Sequence, residues 1–184
     1  MRATELLSSE HRVIERVLTA LETAARMLSH DESIRPGFFL EATDFIKGFA
    51  DGCHHKKEEG VLFKSLIENG MPQEYSPVAV MLHDHEMGRQ YTRALRAAAE
   101  RLISGDQAAR AEVIDNARHY VALLRHHISV EDQVLFPMAD RIIPREDHEA
   151  VWDGFEFVEH EETGEGAHEK YLALAEALEQ EIKT

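Results

Sequence analysis

Apolar residues recur along most of this chain at alternating steps of three and four, and no run bounded by turn residues alternates at steps of two. That period belongs to amphipathic helices, because positions three and four apart share one helix face. The first stripe, Leu7, His11, Ile14, Leu18, Leu21, Ala25 and Leu28, predicts a helix from Thr4 to Ser29. A second is expected after Arg35-Pro36 and runs to Asn69, where Asn-Gly-Met-Pro supplies helix-stop chemistry. The third starts near Pro77, carries Val78, Met81, His85, Gly88, Thr92, Leu95, Ala99 and Leu102 on one face, and ends before Ser104-Gly105-Asp106. The fourth, Ala108 to Asp140, repeats the rhythm with Val113, Ala117, Tyr120, Leu124, His127, Glu131, Val134 and Met138. Beyond Pro144 the pattern reads as a helix from Glu146 to Glu162, a Gly164-Glu165-Gly166 break and a final helix. Trp152, Phe155 and Val158 are spaced to pack that extension on the rest, with Glu161 or His168 as alternatives for controlling access to the interior. The expected fold is all-α: an antiparallel up-down four-helix bundle over 1–143 and a C-terminal helical extension over 144–184 packing on it.

Polar residues interrupt these stripes in a repeating way. His54 and Glu58 in HHKKEEGVLF, and His127 and Glu131 in HHISVEDQVLFP, form the same i, i+4 pair, each followed by Val-Leu-Phe. On a helix such a pair presents an imidazole and a carboxylate side by side, half of a metal site. In the second helix His55 and Glu59 have the same spacing, so a helical wheel must choose between the pairs. At about 100° per residue, Ala42, Ile46, Phe49, Ala50, Cys53 and Val61 cluster in one sector; His54 lies near its edge, Glu58 slightly beyond, and His55 points almost directly away. Glu59 is accordingly expected outside the site. His11 and His85 occupy core positions of the other two helices, giving His11, His54, Glu58, His85, His127 and Glu131 as inward ligands. Six such ligands suit two transition-metal ions bridged by the carboxylates, with an open position for a small molecule. Burying the carboxylates without a cation would be costly, and a metal removes that cost.

Composition narrows the reading. The formal charge of −15 over 184 residues, with no basic cluster, argues against nucleic acid and anionic membrane surfaces as partners and favours cations. Twelve His is a high number for this length. His30, His119, His126, His148 and His160 read as solvated or capping, and His55, His83 and His168 as candidates for an additional ligand or a supporting contact. The N-terminal residues enter an amphipathic pattern at once, without the apolar run of a signal peptide or membrane span, and the single Cys53 cannot form an internal disulfide. Both point to a cytoplasmic protein. Cys53 reads as a small buried hydrophobe.

HHKKEEGVLF, the run Pro-Val-Ala-Val-Met-Leu-His-Asp-His-Glu at 77–86 and HHISVEDQVLFP resemble, in order, the second-, third- and fourth-helix motifs of the hemerythrin-like, or HHE cation-binding, family. The resemblance covers roughly residues 4–140. It implies an antiparallel four-helix bundle around a non-haem di-iron centre, with His11 as first-helix ligand, His54 and Glu58 as the second-helix pair, His85 as third-helix ligand, and His127 and Glu131 as the fourth-helix pair. Oxygen carriers of the family place two His four apart on the third helix, where this chain has His85 and Arg89. That leaves a fifth His position open to His55, His83, His168 or water. Carriers also use His and Asp five apart on the fourth helix, a spacing His127 and Asp132 could mimic, although Glu131 fits the seam better. The site is thus more similar to His-poorer relatives, which include iron–sulfur cluster repair proteins and the iron-sensing domain of a ubiquitin-ligase subunit.

The resulting expectation is a protein with two iron ions that binds or senses oxygen, nitric oxide or iron; manganese or zinc would suit the same donors. Two alternatives stay open: a redox enzyme or cluster-repair protein using the same centre, and a metal-stabilised bundle acting in protein interaction. A ferritin-like arrangement needs Glu-x-x-His on each of two helices, and only Glu165 to His168 has that spacing here. Oligomeric state is not readable from the sequence.

Overall fold

A computed structural model describes residues 1–164 and 166–183, with backbone only for Glu162 and Thr163; among these residues every regular element is helical. Helix α1 spans Arg2–Ser29. Helix α2, residues 37–68, is built of Gly37–Phe45, two π-helical stretches at Ile46–His55 and Glu58–Leu62, and Phe63–Glu68. Helix α3 is Pro77–Ile103, opened by Pro77 at its first position and by Ser76, whose Oγ accepts the Ala79 N–H at 3.3 Å. Helix α4, residues 109–142, contains a third π-helical stretch at Glu131–Leu135. A 3₁₀ turn, Arg145–Asp147, leads into α5, residues 148–163, and α6 is Ala167–Glu181.

Short connections join α1 to α4 into an antiparallel four-helix bundle, as the periodicity predicted. α5 lies along α1 and the second half of α2, and α6 lies along α1 and the first half of α2. Gly48 permits that approach: a Cβ there would stand 1.9 Å from the Tyr171 ring of α6. The chain turns between α5 and α6 at Gly164 and Gly166, with φ of 94° and 76°. Glu165, and with it the Glu165–His168 pair, lies outside the described residues.

The π-helical stretches explain where the helical wheel misplaces residues. A π turn closes i→i+5 hydrogen bonds and holds more residues than 3.6, so neighbouring side chains diverge by less than 100° and the inward phase slips. On α4 the core position passes from the expected Val134, which is 45% exposed, to Leu135, which is fully buried. On α2 it passes from Val61 to Leu62 in the same way. Gly52 marks the first π stretch, since a Cβ there would approach the Lys47 carbonyl oxygen to 2.8 Å.

The apolar core falls into two clusters, one containing Leu7, Leu62, Phe63, Met81, Leu135 and Phe136, the other Ile14, Phe49, Ala50, Leu95, Leu124 and Ile128. On every bundle helix the histidines and glutamates of the predicted site fall where one cluster gives way to the other in sequence, His127 standing next to Ile128, so a polar layer cuts across the bundle where burying polar groups costs most.

Candidate metal centre

His11, His54, His55, Glu58, His85, His127 and Glu131 are all buried, none more than 4% exposed, and their donor atoms converge in two overlapping clusters. His11, His54, Glu58 and Glu131 form one; His55, His85, His127 and Glu58 form the other. Glu58 lies between His54 Nε2 at 3.3 Å and His85 Nε2 at 3.4 Å. Glu131 stands in the equivalent place, 3.2 Å from both His11 Nε2 and His127 Nε2. His85 and His127 turn their Nε2 atoms toward each other at 3.1 Å.

The opposite edge of each ring faces a carboxylate. His11 Nδ1 donates to Asp132 at 2.9 Å, His54 Nδ1 to Glu10 at 2.9 Å and His85 Nδ1 to Glu59 at 2.7 Å. His55 and His127 hold Nδ1 3.5 Å from Asp51 and Asp84. A carboxylate only accepts, so in His11, His54 and His85 the proton sits on Nδ1 and the Nε2 lone pair is left facing inward, the usual support of a metal-binding histidine, whereas Nδ1 of His55 and of His127 is buried with no hydrogen-bond partner. Phe63 stacks on His85 and Phe136 on His11, at centroid distances of 5.9 and 5.4 Å, so the two Val-Leu-Phe tails wall the layer alike.

Whether this donor set fits metal ions can be judged from its unpaired atoms. Both oxygens of Glu58 and of Glu131, together with Nε2 of His11 and His54, are buried with no hydrogen-bond partner. Such atoms are expensive to bury unless a cation meets them. Protons take that part otherwise: burial works to lower His54 and His127, but the charges of Glu58 and Glu10 hold His54 well above its ordinary value, and those of Glu131 and Asp84 hold His127 at about 10. Burial, reinforced by repulsion from His85, pushes His55 well below the usual histidine range, leaving its imidazole neutral. A neutral imidazole is the form that binds metal. The residues fit a pair of cations.

Several expectations are revised by this geometry. His55, which the wheel points away, is buried and stacks on His85 at 3.8 Å between centroids, because it closes the first π stretch beside His54. Glu59, expected to be idle, anchors His85 and also accepts from Arg89 at 2.6 Å. Asp132 does not face the centre; it binds His11 Nδ1, Ser8 and Arg12. His83 is exposed, as is Glu161. His168 joins neither cluster and pairs with Glu159 at 3.0 Å. Glu10, Glu159 and His168 also lie within reach of one another, but the Lys57 ammonium, fully buried, already bonds both carboxylates there.

The supporting carboxylates escaped the sequence reading although their signal is a repeat. An acidic residue precedes each lone histidine (Glu10-His11, Asp84-His85), and another follows each paired glutamate (Glu58-Glu59, Glu131-Asp132). The residue before each lone histidine supports the paired helix's histidine, and the residue after each glutamate supports the lone histidine of the other pair.

Four helices around a buried double cluster of imidazoles and carboxylates define a metal-binding helical bundle. Comparison with protein families agrees: the model of the hemerythrin HHE cation-binding domain matches residues 2–139, and the chain belongs to that family. It is similar to two proteins named only as uncharacterized, Rv1995 of Mycobacterium tuberculosis and Mb2018 of Mycobacterium bovis. Each is 25% identical over 180 residues, covering 98% of this chain and 70% of the relative. No solved structure matches the chain at the same level of significance. Among the described residues no helix is long and apolar enough to cross a membrane.

Proposed function

We propose that this protein holds two iron ions and uses them to bind or sense a small molecule, oxygen or nitric oxide, or iron itself. His11 and His54 would hold one ion and His55, His85 and His127 the other, with Glu58 and Glu131 within reach of both. The observation that carries the reading is the pair of buried glutamates whose oxygens lack any hydrogen-bond partner while Nε2 atoms approach from both sides. The ions would supply a redox-active, Lewis-acidic centre. The protein's part is to hold His11, His54 and His85 in one tautomer through Asp132, Glu10 and Glu59, to set Asp51 and Asp84 beside His55 and His127, and to keep bulk water from Glu58 and Glu131.

A redox enzyme on the same centre is the second reading, favoured by a cavity that reaches His55 and His85. The test is anaerobic purification, loading with iron(II), metal analysis, and absorption spectra before and after oxygen and nitric oxide. About two irons per chain with new bands on either gas is the expected result. Bound zinc, or no metal and no spectral change, would overturn it.

A further inference from the structure

A cavity of about 270 Å³ opens beside the centre, between α2, α3 and α4. The buried His55 and His85 line it, together with Ile46, Gly88 and Tyr120. One water needs roughly 10–15 Å³ on this measure, so the space far exceeds what a diatomic gas occupies. It approaches the size of pockets that hold organic ligands.

Its chemistry is also distinct from the rest of the surface. The chain carries a net charge of −15, yet Lys47, Arg89, Arg93 and Arg96 all line this one opening, with Asp51 as the lone acidic lining residue. Arg89 uses Nε and Nη2 on Asp51 and Glu59; a guanidinium has five N–H donors, so capacity remains for another acceptor. Arg93 is tied to Glu86, and Arg96 to Asp44 and Glu100, through exposed pairs that a ligand can replace at little cost. Tyr120 is 1% exposed and its hydroxyl has no hydrogen-bond partner. Burial holds that hydroxyl protonated, so it is a donor without an acceptor.

We propose that this cavity binds a small organic anion, a carboxylate with a short apolar body, against the His55–His85 side of the centre. The apolar body packs on Ile46 and over Gly88, the Tyr120 hydroxyl donates to the ligand, and the cationic rim neutralises its charge. Placing that ligand next to a metal rests on the di-iron reading; the cavity and its cations do not.

The experiment titrates the full-length, iron-loaded protein with benzoate, and with benzyl alcohol as the neutral isostere, by calorimetry at low salt, with iron content measured on the same sample. Benzoate is expected to bind in preference to the alcohol. The exposed double reversal Lys47→Glu with Arg93→Glu should weaken it at least tenfold with unchanged iron content and helicity. Tyr120→Phe should weaken it roughly 2- to 10-fold. Equal binding of both probes, or benzoate binding untouched by the double reversal, would overturn the inference. So would no benzoate binding to protein that holds its irons, a result that leaves the di-iron reading standing. Charge-dependent benzoate binding to protein that takes up no iron would support the cavity assignment and overturn the di-iron reading instead.

Discussion

The helix pairs α1–α2 and α3–α4 supply the same parts in the same order, yet they treat the metal layer differently. Each gives a lone histidine preceded by an acid, then a His-x-x-x-Glu pair followed by an acid and a Val-Leu-Phe tail. The buried glutamates and the stacked phenylalanines obey that repeat. Two of the departures are buried on α2: His55 where α4 has Ile128, and Lys57 where α4 has Val130. His55 adds a fifth imidazole on the side where the cavity opens. Lys57, fully buried between Glu10 and Glu159, ties the α1–α2 pair to α5 and closes the other side. The repeat thus makes the two glutamate positions alike, and two departures set the cavity side of the layer apart from the Lys57 side.

The comparison breaks most severely where the halves are alike. Glu58→Ala and Glu131→Ala should each abolish stable binding of the metal pair, seen by metal analysis after gel filtration, because each removes an oxygen donor shared by both sides. Loss in only one variant would show that the bridge is not shared.

Unequal positions should give unequal costs. Lys57→Met leaves Glu10 and Glu159 facing each other without their cation and should destabilise the protein by about 3–5 kcal/mol in chemical denaturation. Val130→Met at the aligned place should cost under about 1.5 kcal/mol. Similar losses would contradict the sealing role of Lys57.

The supporting acids sharpen the symmetry on a finer scale. Glu59→Ala and Asp132→Ala should each weaken iron binding by roughly 10- to 100-fold in competition with a chelator, since each frees the Nδ1 edge of one ligand. No change on Glu59→Ala would restore the simpler register in which that residue is idle.

The smallest effect concerns pH on the sealed side. Hydrogen bonding to Cys53 and Glu159 raises His168 from its ordinary 6.5 to about 10, so its stabilisation is complete below pH 6.5 and fades as pH rises toward 10. Hydrogen bonding to His168, against the opposing effect of burial and with help from Lys57, lowers Glu159 from 4.5 to about 2, so that contribution is complete above pH 4.5 and fades as pH falls toward 2. Amide exchange in α6, after correction for intrinsic rates, should therefore be slowest between about pH 4.5 and 6.5 and quicken above it. Flat protection up to pH 10 would separate His168 from the docking of the extension.

Much of this was legible in the sequence. The period of three and four gave the helices, and the breaks at Asn69-Gly70, Ser104-Gly105 and Arg35-Pro36 gave their ends, because turn chemistry is local. His11, His85 and the two His-Glu pairs stood out because ionisable residues on apolar stripes are costly. The orientation of His55 and the core place of Val134 were misjudged for one reason: a wheel assumes a constant angle per residue, and the π stretches change it at the site itself. Gly52, one residue before Cys53-His54, was the visible trace of that distortion. Lys57 and Glu159 were out of reach, since their pairing joins residues about a hundred positions apart across α2 and α5.

The central claim is tested most directly by anaerobic iron(II) titration of the wild-type protein beside His55→Ala, with His126→Ala, an exposed neighbour of the other pair, as control. Two equivalents in the wild type and the control, and one tightly bound equivalent in His55→Ala, are predicted. Two equivalents of undiminished affinity in His55→Ala would contradict the account, because the fifth imidazole would then have no part in holding the second ion.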